Sequence, residues 1–307
     1  MSVTLSYKPA QTRAIIPAPL QPGDTVAIPS PASAVKTAYF QPAEEMLRAQ
    51  GWNVRVMPSA MGKVGSYSGS LNQRFDDMRA ALLDPSVRAV LCSRGGYGAM
   101  QLLEELDKLP LADDPKWLIG FSDISAFHAL MRCKGIVSIH ASMIKGLAEA
   151  SQGEYHAEKA SESLFDLLRG DSVRYEWNSH QFNRAGVAEG TLVGGNLTVL
   201  EALIGTKFNM FAPDTILFIE DINEPIYKLQ RMLWQLRLCG VLPRLKGLIL
   251  GEFTGAKADA NHFGAYNMMA EMVSGYDYPV AYDAPIGHGE VNYPLVCGGE
   301  YRLVVEP

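Results

Sequence analysis

Three side chains in this sequence have the types and the local settings that acyl transfer requires. Ser122 follows the apolar stretch KWLIG and precedes a helix-like pattern in GFSDISAFH. Glu220 ends the apolar stretch ILFIE, and His288 lies between two glycines in PIGHG. A hydroxyl, a carboxylate and a histidine make up the inventory of a serine nucleophile with its orienting acid and general base.

The surroundings of Ser122 leave two interpretations open. Gly120 removes a Cβ where a sharp strand-to-helix turn would be crowded, which is half of the nucleophile-elbow pattern Gly-x-Ser-x-Gly. The second glycine of that pattern is missing, because Ile124 stands in its place. A helix beginning here would also direct backbone amides at an oxyanion. The alternative is that Ser122 or Asp123 only caps the helix.

A glycine-rich loop, Arg94–Gly98 (RGGYG), follows another apolar stretch. Glycines let the backbone approach a ligand closely and direct amides at negative charge. The loop has neither the Gly-x-Gly-x-x-Gly spacing nor the lysine and serine of a phosphate-binding loop. It therefore predicts either an amide donor for an oxyanion or a tight turn.

Glu220 is one of several acids near the start of a helix predicted over Pro225–Cys239. A carboxylate that closes an apolar strand is costly unless it is paired, so Glu220 is a candidate partner for a histidine. Asp221 and Glu224 are predicted to be an N-cap and a first-turn charge of the helix. The sequence does not decide whether Glu220 or Glu224 meets His288.

His288 is the best placed of the six histidines, because a loop histidine between glycines is either exposed and idle or placed for use. His128 lies in a predicted helix, and His140 is expected to follow a buried strand and to satisfy a local hydrogen bond. The remaining three are predicted to be surface positions: His156, His180 and His262.

Strand and helix patterns alternate over the first half of the chain, which predicts an α/β fold with a mostly parallel sheet covered on both faces. The strands are expected at Thr25–Ile28, Trp52–Met57, Ala89–Cys92, Trp117–Gly120 and Ile136–Ile139, and residues 1–23 are expected to be irregular. We expect an N-terminal three-layer α/β domain at 1–150, which carries the nucleophile. A connecting helical segment is expected at 151–184. A smaller β-rich domain with helices at 185–307 would carry the acid and the histidine.

Composition excludes several classes of protein. The 307 residues carry a net charge of −6, which argues against a nucleic-acid partner. The four cysteines have no zinc-site spacing, and no metal or cofactor is expected. No apolar run approaches the length of a membrane span, and the N-terminus lacks the apolar core of a signal peptide. A cytoplasmic location is the default expectation.

Six motifs occur in order between about residue 24 and residue 305, and together they resemble the LD-carboxypeptidases. They are RGGYG (94–98), GFSD (120–123), GTLVGGNL (190–197), LFIEDINEPIYKLQRML (217–233), GEFTG (251–255) and GHG (287–289). Members of this family are murein tetrapeptide carboxypeptidases of bacterial cell-wall recycling. They cleave the amide between an L-centre, either L-lysine or meso-diaminopimelate, and a terminal D-alanine.

The resemblance implies a role for each candidate residue. Ser122 would be the nucleophile, His288 the general base and Glu220 the acid that orients it, so the triad would be split between two domains. The backbone amides of Asp123 and Gly96 would form the oxyanion hole. The resemblance also implies a metal-free serine peptidase that forms homodimers.

Substrate contacts and competing functions are less constrained. We expect Arg94, Tyr97 and Asn196 to contact the substrate. One alternative keeps the fold and the triad but acts as a microcin-immunity-like amidase on peptide-nucleotide substrates. An alternative of another class is a non-catalytic α/β protein that binds a small ligand, in which Glu220 and His288 would have no function. The sequence does not reveal which diamino acid precedes the D-alanine.

Overall fold

The computed structural model describes residues 2–307, which form two compact units. The first unit contains residues 2–13, 172–291 and 298–307, and the second contains residues 14–171 and 292–297. Each unit is therefore assembled from stretches that are distant in the sequence.

Residues 2–307 contain thirteen β-strands and nine α-helices. The strands are β1 (Ser2–Tyr7), β2 (Thr25–Ile28), β3 (Asn53–Val56), β4 (Val87–Leu91), β5 (Trp117–Gly120), β6 (Ser138–His140), β7 (Arg174–Asn178), β8 (Gly186–Asn196), β9 (Ile216–Ile222), β10 (Gly247–Thr254), β11 (Val280–Ala281), β12 (Leu295–Cys297) and β13 (Glu300–Val305). The helices are α1 (Phe40–Arg48), α2 (Leu71–Leu83), α3 (Leu103–Asp107), α4 (Ser125–Cys133), α5 (Ile144–Ala150), α6 (Tyr155–Arg169), α7 (Leu197–Glu201), α8 (Ile226–Leu238) and α9 (Ala265–Val273).

The sheet of the second unit has the strand order β12-β6-β5-β4-β2-β3. Strands β3, β2, β4, β5 and β6 are parallel, and β12 pairs antiparallel with β6. The predicted α/β class is therefore confirmed. The order of the strands in the sheet changes direction between the neighbouring strands β2 and β4. Ligands of open α/β sheets bind at the carboxyl ends of the strands at such a point. The glycine loop follows β4, and Ser122 follows β5.

The sheet of the first unit has the order β11-β10-β9-β8-β13-β1-β7. Strands β8 to β11 are parallel, whereas β13, β1 and β7 join them in antiparallel pairs. Asn196 at the end of β8 is the register partner of Glu220 in β9. The carboxyl ends of two parallel strands thus bring these two polar side chains to the same edge of the sheet.

Three expectations were wrong, one about the N-terminal residues and two about histidines. The first residues are not irregular, because Ser2–Tyr7 form β1 with an alternating buried face. His140 does not follow a strand but is the last residue of β6. His262, expected at the surface, is buried, and its ring nitrogens lie 3.4 Å from Asp259 and 3.5 Å from Glu271.

Candidate active site

Ser122 lies in a strained turn directly after the wholly buried strand β5. Its φ is +63°, a left-handed conformation that costs a non-glycine residue about 1–2 kcal/mol. A short 3-10 helix, Ser122–Ile124, continues into α4 without a side-chain cap at its start. A Cβ on Gly120 would lie 2.8 Å from a methyl group of Ile124. Gly120 is therefore needed at this turn. Ile124, which stands in place of the second motif glycine, fills the space that the missing side chain of Gly120 leaves.

Asp123 ties the turn of Ser122 to the glycine loop. Its buried carboxylate accepts a hydrogen bond from the backbone amide of Ala99, over 2.8 Å. Burial raises the pKa of Asp123, and the hydrogen bond from Ala99 and the charge of Arg74 oppose this increase. The side chain of Asp123 thus binds the residue that follows the glycine loop and does not cap the helix that follows Ser122.

The glycine loop packs against the Ser122 turn at Gly95. A Cβ on Gly95 would lie 3.0 Å from the amide nitrogen of Asp123 and 3.1 Å from the Cβ of Ser122. Gly96 has a φ of +96°, and a Cβ there would lie 2.5 Å from Oγ of Ser33. A side chain at either position would therefore displace the loop, so the glycines serve a close backbone approach.

Arg74 in α2 supports this loop, a role that the sequence analysis missed because α2 has the pattern of an ordinary amphipathic helix. The side chain of Arg74 is buried and donates to the carbonyl oxygens of Pro31, over 2.8 Å, and Gly98, over 3.1 Å. It also donates to Oε1 of Gln101, over 2.6 Å. A planar guanidinium can serve several acceptors at once in this way.

Glu220 and His288 form a hydrogen-bonded pair in the first unit. Nδ1 of His288 lies 2.6 Å from Oε2 of Glu220, and the Glu220 side chain is fully buried. Burial raises the pKa of Glu220, and the hydrogen bond and the charge of His288 oppose the increase. A histidine held at Nδ1 by a carboxylate presents Nε2 for proton transfer.

The glycines on either side of His288 are required by sterics. Gly287 has a φ of +118°, and a Cβ there would lie 3.0 Å from the Cβ of Glu220. A Cβ on Gly289 would coincide with the carboxylate of Glu252, at 1.2 Å from Oε2. The loop that carries His288 therefore packs directly on the side chains at the ends of β9 and β10.

The neighbouring acids have other partners. Glu224 pairs with Lys228 at 3.2 Å, so the histidine contact belongs to Glu220. Asp221 is not the N-cap of α8, which begins after Pro225 without a side-chain cap. Its buried carboxylate instead accepts hydrogen bonds from Asn196 Nδ2 (3.0 Å) and from Thr198 N (2.9 Å) and Oγ1 (2.7 Å).

The three residues expected to contact substrate differ in exposure. Arg94 is exposed, and its Nη1 donates to the carbonyl of Ala34 over 2.5 Å. Tyr97 is 60% exposed. Asn196 is buried, and its Oδ1 accepts from the amide of Val199 over 3.2 Å, which caps α7. The expected contacts of these residues with substrate stay predictions.

His128, which the sequence placed only on a helix, supports the strand before Ser122. It is fully buried, with Nε2 2.9 Å from the carbonyl oxygen of Gly120 and Nδ1 2.8 Å from Oγ of Ser138. Burial lowers the pKa of His128 to about 4. A neutral imidazole thus links Gly120 at the end of β5 to Ser138 at the start of β6.

The part of the chain that the structure describes has no group of three or more histidine, cysteine, aspartate or glutamate side chains arranged to hold a metal ion. None of the helices within residues 2–307 combines the length and the apolar composition that crossing a membrane requires.

An α/β fold with a strained serine turn, an adjoining glycine loop and a buried carboxylate–histidine pair is characteristic of hydrolytic enzymes. The chain belongs to the LD-carboxypeptidase family: the N-terminal domain of that family matches residues 26–141, and its C-terminal domain matches residues 189–303. It is therefore a hydrolase of the carboxypeptidase class, and the alternative of a non-catalytic binding protein is set aside.

Individual relatives support this assignment over nearly the whole chain. A putative carboxypeptidase of Synechocystis sp. is 32% identical over 94% of this chain and 93% of its own length. The murein tetrapeptide carboxypeptidase of Pseudomonas aeruginosa is 34% identical over 87% of this chain and 89% of its own length. The crystal structure of muramoyltetrapeptide carboxypeptidase from Oxalobacter formigenes has a TM-score of 0.79 and 27% identity, and covers 92% of this chain and 99% of that one.

Proposed function

We propose that this enzyme is a serine-type LD-carboxypeptidase that releases the terminal D-alanine of murein tetrapeptides. The bond cleaved would join an L-centre diamino acid, meso-diaminopimelate or L-lysine, to D-alanine, in the recycling of cell-wall peptides. The observation that carries the proposal is the 2.6 Å contact between Nδ1 of His288 and the buried carboxylate of Glu220. The relatives named for murein peptides support the choice of substrate.

In the proposed mechanism, Oγ of Ser122 attacks the carbonyl carbon of the scissile amide. Nε2 of His288 accepts the hydroxyl proton and then transfers it to the departing amine of D-alanine. The acyl group stays on Ser122 until water, deprotonated by His288, hydrolyses the ester and restores the serine. The products are the tripeptide and free D-alanine, and the balance requires one water molecule.

Glu220 would act through His288. A carboxylate bonded to Nδ1 fixes the tautomer that leaves Nε2 able to accept a proton, and it stabilises the imidazolium that forms next. Because Glu220 is buried, its interaction with the imidazolium is little screened by water.

The negative charge on the attacked carbonyl oxygen requires donors that are already in place. We assign this role to the backbone amides of Gly96 and Asp123. The left-handed turn at Ser122 and the close approach of Gly95 support this assignment, because both fix the backbone that carries these amides.

Arg94, Tyr97 and Asn196 are proposed to contact the substrate. We also propose that the enzyme works in the cytoplasm as a homodimer.

A substrate panel tests the proposed function. D-Alanine release would be measured with a murein tetrapeptide, the corresponding pentapeptide and a nucleotide-linked peptide, for the wild type, Ser122→Ala and the control Ser151→Ala, which alters an exposed serine. We expect the wild type and the control to cleave the tetrapeptide and spare the D-alanyl-D-alanine bond of the pentapeptide. Cleavage of the nucleotide-linked peptide alone would instead favour the microcin-immunity-like alternative.

A further inference from the structure

Ser33, in the segment that follows β2, contacts the glycine loop on both sides of Gly96. Its backbone amide donates a hydrogen bond to the carbonyl oxygen of Gly95, over 3.2 Å. Its Oγ accepts a hydrogen bond from the backbone amide of Tyr97, over 3.1 Å. One residue therefore holds the peptide groups that lie immediately before and immediately after the α-carbon of Gly96.

The hydrogen bond to Gly95 sets the direction of the Gly96 amide. A peptide group is planar and trans, so its C=O and N–H bonds point in opposite directions. Because the carbonyl of Gly95 points at the amide of Ser33, the N–H of Gly96 points away from Ser33. The amide that we assign to the oxyanion hole is thus directed by a residue that does not itself bind it.

Ser33 also restrains the loop sterically. Gly96 has a φ of +96°, and a Cβ added to it would lie 2.5 Å from Oγ and 2.8 Å from Cβ of Ser33. The backbone of Gly96 therefore packs directly on the Ser33 side chain, which opposes movement of the loop towards it. Ser33 is itself held in place, because it forms a β-bridge with Tyr67 and because the amide of Ala34 donates to the carbonyl of Ser66 over 2.9 Å.

We propose that Ser33 is a positioning residue, which holds the Gly96 amide in the direction that stabilises the oxyanion. The proposal rests on the proposed function and deepens it by naming a residue that acts on the same site without touching the substrate. Donors to an oxyanion are effective because they are oriented before the charge develops. Ser33→Ala removes the acceptor of the Tyr97 amide, so the loop gains freedom to rotate, whereas the backbone hydrogen bond to Gly95 is retained.

Steady-state kinetics of D-alanine release separate this role from a general loss of structure. Ser33→Ala should lower kcat by roughly 10-fold, less than the 10²–10³ that loss of a whole oxyanion donor costs, because the Gly96 amide remains. KM should stay close to the wild-type value, since the oxyanion forms only in the transition state. The matched control is Ser68→Ala, which removes a buried hydroxyl that donates to the carbonyl of Ser30 instead of the glycine loop, and it should retain the wild-type kcat.

Labelling of Ser122 by a fluorophosphonate probe gives a readout that does not require D-alanine release. Oγ of Ser122 bonds to phosphorus, the P–F bond breaks, and fluoride and the hydroxyl proton are released. The phosphoryl oxygen takes the position of the oxyanion in this reaction, so the same donors assist it. Ser33→Ala should slow the labelling by a factor similar to its loss in kcat, and Ser68→Ala should be labelled as fast as the wild type.

Several outcomes would overturn the positioning role. These are labelling of Ser33→Ala at the wild-type rate, a raised KM with kcat intact, or an equal loss in Ser68→Ala. Absence of labelling in the wild type would overturn both this role and the proposed function. Ser33-dependent labelling of an enzyme that releases no D-alanine would instead overturn the proposed function and leave the positioning role standing.

Discussion

The backbone of Gly95 lies so close to Ser122 that a Cβ added to Gly95 would be 3.1 Å from the Cβ of Ser122. The same added atom would lie 3.0 Å from the amide nitrogen of Asp123. These separations are tighter than ordinary van der Waals contact, so any side chain at position 95 must displace the turn that carries the proposed nucleophile. The position of the Ser122 turn therefore depends on the position of the glycine loop.

Gly95→Ala should lower kcat by up to about 100-fold, which is the cost of misplacing a reacting group by about 1 Å. The protein should stay folded, since the neighbours need to move by only a few tenths of an ångström. Steady-state kinetics of D-alanine release would measure the effect. The control Gly275→Ala adds a methyl group where no atom lies within 4 Å, and it should retain full activity. Unchanged kcat in Gly95→Ala would show that this approach does not position Ser122.

The left-handed conformation of Ser122 predicts that the wild-type residue reduces stability. Glycine adopts a φ of +63° without steric cost, whereas serine and alanine do not. Ser122→Gly should therefore be more stable than Ser122→Ala by about 1 kcal/mol in the free energy of unfolding, while both variants lose D-alanine release. Chemical denaturation of the two variants measures the difference. Equal stabilities would mean that the turn relaxes once the hydroxyl is removed.

Arg74 should be important for the stability of the glycine loop, although we propose no contact between Arg74 and the substrate. Arg74→Lys keeps the charge but loses the planar fork that serves the carbonyls of Pro31 and Gly98, so buried acceptors are left without partners. We expect a loss of roughly 2–4 kcal/mol in the free energy of unfolding. The control is Arg79→Lys on the same helix, where the arginine is 53% exposed and the change should cost less than about 0.5 kcal/mol. A small loss for Arg74→Lys would show that water replaces the guanidinium.

Features set by neighbouring residues were predictable from the sequence. Strands Thr25–Ile28 and Trp117–Gly120 have the predicted bounds, and helix Ser125–Cys133 contains His128 as predicted, because an apolar run or an amphipathic period is local information. The need for a glycine at position 120 was also local, since it depends on the geometry of a single turn.

Features that depend on residues far apart in the sequence could not be predicted as reliably. The alternation of apolar and polar residues at Val3, Leu5 and Tyr7 is visible in the sequence. Whether this segment becomes a strand depends on its pairing with β13, which lies at the opposite end of the sequence. The choice of Glu220 as the partner of His288 required the fold, whereas the catalytic roles of both residues stay predictions.

If Ser122 and His288 act as one catalytic unit, their substitutions should not be additive. Ser122→Ala and His288→Ala should each lower kcat by roughly 10⁵–10⁶, and the double variant should be no slower than either single variant. Glu220→Gln should cost less, roughly 10³–10⁴, because the imidazole remains but loses its orienting charge. Single-turnover kinetics with the tetrapeptide would supply the rates. Additive losses in the double variant would indicate that the two residues contribute to separate steps.

His128 predicts how the stability of the enzyme depends on pH. Burial lowers its pKa from 6.5 to about 4, so between these values the unfolded chain binds a proton that the folded chain does not. Stability must therefore fall as the pH is lowered from 6.5 towards 4, and the difference corresponds to roughly 3 kcal/mol in the free energy of unfolding. His128→Gln should be less stable than the wild type at pH 7, because its hydrogen bonds to Gly120 and Ser138 are lost or weakened. Because glutamine cannot bind this proton, the variant should lose less stability than the wild type when the pH is lowered. Urea denaturation at several pH values between 7 and 4 measures both slopes. Parallel slopes for the two proteins would show that another group causes the acid sensitivity.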